Sequence, residues 1–256
     1  MDYQISQSVD GFDDEPVSKP GDNSDLNIMT WNLLSYGSSG LSGKENKDRT
    51  IKQAEVINGK NPDILTVQEL SYGDHKKEIK SLLSEYGSTL DKSTNGSDSG
   101  DGGRTIFWKS DLFKELDRGY YYAWHNGENK LERSNNKMVW VKLENIQSSK
   151  SIIVFTTHEN ATQNPSVSQY RESVSIHKKE IEKVINRYPD SYVVFSGHIQ
   201  SGSPGYNLNE RKTYMYDMLK SLGFMDSLTQ SSSIKNDNCD TGHDKLGETD
   251  CRSGNK

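Results

Sequence analysis

Apolar runs of strand length alternate with amphipathic stretches of helix length between residues 26 and 226. Strand patterns occupy residues 26–31, 63–69, 104–108, 120–124, 138–143, 151–158 and 192–195. Helix patterns occupy residues 74–86, 169–188 and 214–222, and one further helix is predicted to begin at a cap on Asp48 and to run past Ile57. Because each element buries only one face, this alternation predicts a layered α/β domain with its helices outside the sheets.

The remaining segments are polar and carry no sustained periodicity. We expect residues 1–25 to form a flexible polar tail and residues 91–103 to form a loop rich in Ser, Asp and Gly. No stretch is apolar over the length of a membrane span, and no signal peptide is expected at the first residues. The net charge of −6 argues against a basic surface that would sheathe nucleic acid. An acidic site that binds a divalent cation remains compatible with a phosphate substrate.

Polar side chains stand where several of the predicted strands end. They are Asn32, Glu69, His158 and the pair His198 and Gln200. Taken singly, such a glutamate is more often a cap or an ion-pair partner, and such a histidine is more often structural. Polar groups at the mouth of a rigid sheet are nevertheless the usual location of chemistry, so together they are the candidate site.

The two cysteines, Cys239 and Cys251, lie twelve residues apart in a segment rich in Asn, Asp and Gly. A disulfide that closes a surface loop is one interpretation, and it predicts a secreted or extracytoplasmic protein. Two separate free thiols in a cytoplasmic protein are the alternative. A zinc site is a weaker interpretation, because His243 is nearby but no second close pair of ligands accompanies it.

Five short motifs occur together in an order that resembles the endonuclease/exonuclease/phosphatase family, the deoxyribonuclease-I-like proteins. They are Thr30-Trp31-Asn32, Val67-Gln68-Glu69, Gly103-Arg104 with Phe107, Thr157-His158 followed by Arg171, and Ser196-Gly197 followed by Gln200. The resemblance covers about residues 26–200. It implies a four-layered α/β/β/α sandwich in which two mixed sheets are flanked by helices, and it places residues 26–256 in one such domain.

The resemblance also implies an activity, which is hydrolysis of a phosphodiester or phosphomonoester with Mg²⁺ or Mn²⁺. Carried over by position, Glu69 is a metal ligand and Asn32 helps to hold the metal and the phosphate. His158 donates to a phosphate oxygen or acts near the leaving group, and Arg104 positions the phosphate. Hard Mg²⁺ prefers carboxylate and amide oxygens, which agrees with the first two roles. Residues 104–108 are more similar to the nuclease branch than to the lipase branch, so the expected activity is that of an endonuclease.

Two departures from the family pattern limit this expectation. The family reads Gly-Asp-x-Asn where this chain has Gly197-His198-Ile199-Gln200, so an imidazole replaces the aspartate. An imidazole can still act as a base, but Gln200 is one methylene longer than asparagine. No Ser-Asp-His occurs near the end, and we expect the domain to lack its last strand or strands. The alternative function is therefore a catalytically dead relative that binds nucleic acid, a phospholipid headgroup or a protein; a phosphorylated lipid or inositol is also a possible substrate.

Overall fold

The protein is described by a computed structural model. It describes residues 26–37, 39–70, 73–90, 103–122, 137–158, 167–198, 208–230, 239–243 and 249–253. At residues 137, 169, 208–213, 228 and 229, and in the last two ranges, it describes the backbone alone. The predicted tail, most of the loop at 91–103, Trp124 and Gln200 lie outside this part of the chain.

The first sheet contains the four strands of the N-terminal half in the order β1-β2-β4-β3. β1 and β2 are parallel and are joined by the helix α1, whereas β4 runs antiparallel to both β2 and β3. The elements are β1 (Ile28–Asn32), α1 (Gly43–Lys60), β2 (Ile64–Gln68), α2 (Gly73–Leu82), β3 (Tyr86–Ser88) and β4 (Thr105–Lys109).

The second sheet has the order β5-β6-β7-β8. The first three strands form an antiparallel meander, and β8 pairs with β7 in parallel after the long helix α3. The elements are β5 (Phe113–Tyr122), β6 (Lys137–Asn145), β7 (Ser151–His158), α3 (Val167–Arg187) and β8 (Tyr192–His198), followed by α4 (Leu208–Ser221) and the short α5 (Ser227–Gln230). Each sheet therefore contains one parallel β-α-β unit, and both units carry residues of the candidate site.

Three separate apolar clusters show how the layers stack. The first lies between α1, α2 and the first sheet, and includes Ala54, Ile57, Leu65, Ile79 and Phe107. The second joins the two sheets and includes Ile64, Ile106, Val141, Ile152 and Val154. The third lies between the second sheet and the helices α3 and α4, and includes Trp140, Phe155, Val174, Ile181 and Met215. This order of layers, helix, sheet, sheet, helix, confirms the predicted α/β/β/α sandwich.

Polar contacts join the two sheets near the carboxyl ends of the parallel strands. Gln68 Nε2 donates to Thr156 Oγ1 at 3.2 Å and to Thr30 Oγ1 at 3.3 Å. Thr66 Oγ1 lies 2.8 Å from Ser196 Oγ across the same interface. Thr30 belongs to the same sheet as Gln68, whereas Thr156 and Ser196 belong to the other. Because buried hydroxyl and amide groups require partners, the two bonds that cross between the sheets fix their relative position beside the candidate site.

Several of the predicted element boundaries are wrong. β5 begins at Phe113 instead of residue 120, and α4 begins at Leu208 instead of residue 214. α1 begins one and a half turns before Asp48, because Ser42 is its N-cap and forms a capping box with Glu45. Tyr86, assigned from sequence to the end of a helix, belongs to β3, and its side chain packs with the helix-facing core. Its apolar character fitted the helical stripe, which is why the short strand was missed.

β8 was expected to be a buried strand, and it lies at an edge of its sheet in the described part of the chain. Tyr192 is 63% exposed, and burial rises only toward Gly197. An apolar run indicates a strand but does not specify its place in the sheet.

The cysteines lie in a two-stranded hairpin formed by β9 (Cys239–His243) and β10 (Thr249–Ser253). In this register Cys239 is opposite Ser253 and Cys251 is opposite Thr241. The side chains lie outside the described part, so the disulfide, and the location inferred from it, stay predictions. Among the described residues, none of the helices combines the length and apolar character that a membrane crossing requires.

Two buried histidines should make the folded protein less stable in mild acid. Burial lowers the pKa of His177 to about 3, and burial together with Arg49 lowers the pKa of His75 to about 4. Both rings are neutral in the folded protein, whereas in the unfolded chain they bind protons below pH ~6.5. Stability is therefore full above that pH and falls as the pH decreases toward 4, by about 1.4 kcal/mol per unit for each histidine.

The test is urea unfolding at pH 7.5 and pH 5.0. His75 and His177 together should contribute about 4 kcal/mol to the decrease in the free energy of unfolding across this interval. His177→Gln removes one of the titrating groups, so its loss over the same interval should be smaller by about 2 kcal/mol. An unchanged pH dependence in the variant would show that His177 does not titrate as its burial requires.

Candidate metal and phosphate site

The ends of four strands meet at one edge of the sandwich. Asn32 is the last residue of β1, Glu69 follows β2, and His158 and His198 end β7 and β8. β1 pairs with β2 in parallel, and Asn32 is opposite Gln68, the residue before Glu69. β7 pairs with β8 in parallel, and His158 is opposite His198. The sequence-predicted residues of all four strands are therefore brought together.

Asn32 is the centre of the hydrogen bonds in the site. Its Nδ2 donates to Glu69 Oε1 at 2.8 Å and lies 2.6 Å from His198 Nδ1. The Leu34 N–H donates to Asn32 Oδ1 at 3.0 Å, which fixes the orientation of the amide. His198 Nδ1 consequently accepts, and a neutral ring carries its proton on Nε2.

Glu69 has an unusual backbone conformation for a residue with a side chain. Its φ is +62°, in the left-handed region, immediately after the fully buried strand β2. The carboxylate accepts at Oε2 from the Ser35 N–H at 2.9 Å, and Oε1 lies 3.7 Å from His158 Nε2. A non-glycine residue in this region costs about 1 kcal/mol or more, and such residues concentrate at functional sites.

The two histidine rings are stacked, with centroids 4.8 Å apart and planes inclined by 16°. Burial, then Arg104 and His198, lower the pKa of His158 to about 2. His158 is therefore neutral at physiological pH and cannot supply a cationic donor. Its unprotonated ring nitrogen can accept a hydrogen bond or coordinate a cation.

Arg104 acts across the two sheets. It directly precedes β4, is almost fully buried, and donates from Nη2 to the carbonyl oxygen of His158 at 2.5 Å. This charge-assisted bond fixes the backbone at the end of β7. The predicted contact of Arg104 with phosphate stays a prediction, and so does the role of Gln200, which lies outside the described residues.

The ligating atoms of three side chains lie within 4.8 Å of one another, one atom each from Glu69, His158 and His198. The side chains of His158 and Glu69 are 12% and 17% exposed, so solvent reaches the group. Carboxylate oxygen with imidazole nitrogen is a donor set that binds divalent cations. Ligation by Asn32 stays a prediction; its Oδ1 accepts the bond from Leu34 described above.

Gly197 allows β8 to approach β7 closely beside the site. Its φ is +143°, and a Cβ at this position would overlap the carbonyl oxygen of Thr157 and lie 2.8 Å from the Thr157 nitrogen. The next residue is His198, so this close approach determines where the imidazole stands.

The supporting residues on α1 were not found from the sequence. Arg49 Nη2 donates to Leu34 O at 2.6 Å, and Gln53 Nε2 donates to Leu33 O at 2.8 Å. They hold the loop whose Ser35 N–H binds Glu69. A signal was available, because the polar residues at 46, 49, 50 and 53 recur at helical spacing on the face that also buries Ala54 and Ile57.

Solved structures with this arrangement of layers share the fold at low sequence identity. An endonuclease/exonuclease/phosphatase family protein from Bacteroides thetaiotaomicron is 16% identical, with a TM-score of 0.57 over 77% of this chain and 69% of that one. The chain has the endonuclease/exonuclease/phosphatase fold. The same organism's mannosyl-6-phosphatase superposes on this fold with a TM-score of 0.59 at 15% identity, over 75% of this chain and 70% of that one.

The catalytic domain of human Nocturnin, solved with a bound sulfate anion, has the endonuclease/exonuclease/phosphatase fold as well. It is 19% identical, with a TM-score of 0.54 over 76% of this chain and 70% of that one. No family model and no curated protein sequence matches the chain. The resemblance inferred from the five short motifs is thus confirmed at the level of the fold.

Proposed function

We propose that the protein is a metal-dependent phosphodiesterase and that its catalytic site is the group Asn32, Glu69, His158 and His198. The observation that carries the proposal is their convergence at the ends of four strands. A carboxylate, an amide and two imidazoles there surround one point that solvent can reach. A lone strand-end residue has many structural uses, but four that contact one another are better explained by a shared ligand.

The residues present can hold a divalent cation. Bound between Glu69 and the imidazoles, a cation would polarise a phosphoryl oxygen and lower the pKa of a bound water. Glu69 supplies the anionic ligand, and the Ser35 N–H fixes its second oxygen. Arg104 holds the end of β7, so that the His158 ring remains facing Glu69. His198 presents a lone pair at Nδ1, which can coordinate a cation or accept a proton.

As the finer assignment, we propose endonuclease activity on nucleic acid with Mg²⁺ or Mn²⁺. The similarity of residues 104–108 to the nuclease branch supports it. Support for other phosphate esters comes from the structural neighbours, one of which is a mannosyl-6-phosphatase and another of which binds a sulfate anion. Phosphorylated lipids and inositols are therefore tested alongside nucleic acid.

The experiment compares substrates and metals in one panel. Supercoiled plasmid, single-stranded RNA, bis-p-nitrophenyl phosphate, p-nitrophenyl phosphate, inositol polyphosphates and sphingomyelin are incubated with EDTA or with Mg²⁺, Mn²⁺ or Zn²⁺. We expect a divalent cation to support cleavage of at least one phosphodiester and EDTA to stop it. Absence of cleavage for every substrate with every metal would reject the enzymatic proposal.

A second candidate is a non-catalytic phosphate-binding protein. It is favoured by one observation: His198 occupies the position of the family's aspartate, so Glu69 is the one carboxylate in the cluster of Glu69, His158 and His198. Binding of a fluorescent oligonucleotide or an inositol polyphosphate that Glu69→Gln weakens, without turnover, would support this candidate. Turnover that depends on Glu69 would reject it.

A further inference from the structure

The donor atoms at the site are unusually rich in nitrogen for a magnesium site. His158 and His198 are register partners on adjacent parallel strands, so their rings are held side by side. The Glu69 carboxylate faces them, with Oε1 at 3.7 Å from His158 Nε2. Two of the three potential ligands are therefore imidazole nitrogens and one is a carboxylate oxygen.

These donors fit Mg²⁺ poorly. Mg²⁺ demands oxygen ligands in near-ideal octahedral geometry. The nearest amide oxygen, Asn32 Oδ1, already accepts the Leu34 N–H, and the amide nitrogen rather than the oxygen faces Glu69. Imidazole nitrogen instead favours Zn²⁺, Co²⁺, Ni²⁺ and Fe²⁺.

We propose that this site selects a first-row transition-metal ion of the Zn²⁺ class over Mg²⁺, through His158, His198 and Glu69. The inference rests on the site of the proposed function and revises one part of it, because it replaces the Mg²⁺ proposed there with a metal ion of another class. Glu69 Oε1 and His198 Nδ1 both accept from Asn32 Nδ2, so their lone pairs converge on the point that this amide nitrogen occupies. A metal ion bound to both atoms would take the place of the amide, and the Asn32 side chain would rotate away from them. A metal ion takes lone pairs from those same two atoms.

The spacing of the three residues agrees with such an ion. Tetrahedral ligands around Zn²⁺ lie about 3.3–3.6 Å from one another, as follows from metal–ligand distances of about 2.0–2.2 Å. The Glu69 to His158 separation is 3.7 Å, and no pair of the three ligating atoms exceeds 4.8 Å. Side-chain rotations that move the ligating atoms by about an ångström bring the three atoms to bonding positions, while the backbone register of β7 and β8 is retained.

The test uses chelator-treated full-length protein and the metals alone. Co²⁺ is titrated while its visible absorption is recorded, since nitrogen ligation in a four- or five-coordinate site gives intense bands. Zn²⁺ and Mg²⁺ are then titrated by thermal unfolding. Co²⁺ and Zn²⁺ should raise the melting temperature by roughly 5 °C at concentrations at least a hundredfold below those that Mg²⁺ requires.

Three variants, His158→Ala, His198→Ala and His198→Asp, assign the ligands. His198→Ala should weaken Co²⁺ binding at least tenfold and reduce the absorption. His198→Asp should shift the preference toward Mg²⁺, because a second carboxylate replaces an imidazole. His177→Gln is the matched control, since this buried histidine lies on α3 and contacts Tyr121 in another layer, and the Co²⁺ spectrum of the variant should equal that of the wild type. Circular dichroism verifies that each variant is folded.

Equal affinities for Mg²⁺ and Zn²⁺, or Co²⁺ binding that survives both His158→Ala and His198→Ala, would overturn the inference. The proposed function fails separately. Hydrolysis supported by Mg²⁺ without selective Zn²⁺ or Co²⁺ binding contradicts the metal assignment and leaves the phosphodiesterase standing. Selective Co²⁺ binding through the histidines without hydrolysis of any phosphate ester supports the metal assignment and rejects the enzyme.

Discussion

Glu69→Gln should lower metal-dependent phosphodiester hydrolysis by about a thousandfold, the size of effect typical of losing one key electrostatic group. The substitution keeps the shape of the side chain and removes the one anionic ligand of the cluster of Glu69, His158 and His198. The side-chain oxygen of glutamine can still accept one of the bonds from Asn32 and Ser35, so the free energy of unfolding should change by no more than about 2 kcal/mol. Initial rates with saturating cation measure the first effect, and urea unfolding measures the second.

Glu55→Gln is the matched control, because Glu55 is exposed on α1 and the variant carries the same change of charge. It should hydrolyse the substrate at the wild-type rate. A Glu69→Gln protein that is folded and retains more than about a tenth of the activity would mean that the carboxylate is not a metal ligand in catalysis.

Gly197→Ala should destabilise the protein by about 3 kcal/mol or more and disrupt the site with it. The left-handed φ of +143° strains any residue that has a side chain, and the new Cβ would overlap the backbone of Thr157. Backbone atoms cannot rotate away, so β8 must separate from β7, which moves His198 away from Asn32. Urea unfolding reports the loss of stability, and Co²⁺ absorption reports the displaced imidazole.

Gly59→Ala is the control for replacing a glycine. Gly59 is exposed in α1, and a Cβ there would have no atom within 4 Å. Because alanine favours helix, this variant should be as stable as the wild type or more stable by up to about 1 kcal/mol. A Gly197→Ala protein as stable as the wild type would show that β7 and β8 do not approach as closely as described.

The elements with a clear apolar pattern were predictable from the sequence. β7 occupies residues 151–158 as expected, since a continuous apolar run there has polar residues on both sides. The short β3 was not predictable, because Tyr86 also continues the apolar stripe of the preceding helix. Nor was the place of β8 at the edge of its sheet among the described strands, which depends on which strands pair and not on local composition.

The residues of the candidate site were predicted because each stands where a strand pattern ends. Their mutual geometry required the fold: the pairing of His158 with His198 follows from the parallel register of β7 and β8. The left-handed conformation of Glu69 has no local signal such as glycine or asparagine. Arg49 was missed because a charged residue on a helix is usually read as part of a solvated face, whereas here it holds the loop at Leu34.

The most direct test of the proposed metal and phosphate site is the anomalous diffraction of crystals grown with Mn²⁺ or Zn²⁺ and inorganic phosphate. We expect one strong anomalous peak about 2–2.3 Å from the Glu69 carboxylate, in contact with a histidine ring of the same cluster and with phosphate bound beside it. A map with no peak at Glu69, or with Asn32, Glu69, His158 and His198 pointing to separate regions of the surface, would contradict the account.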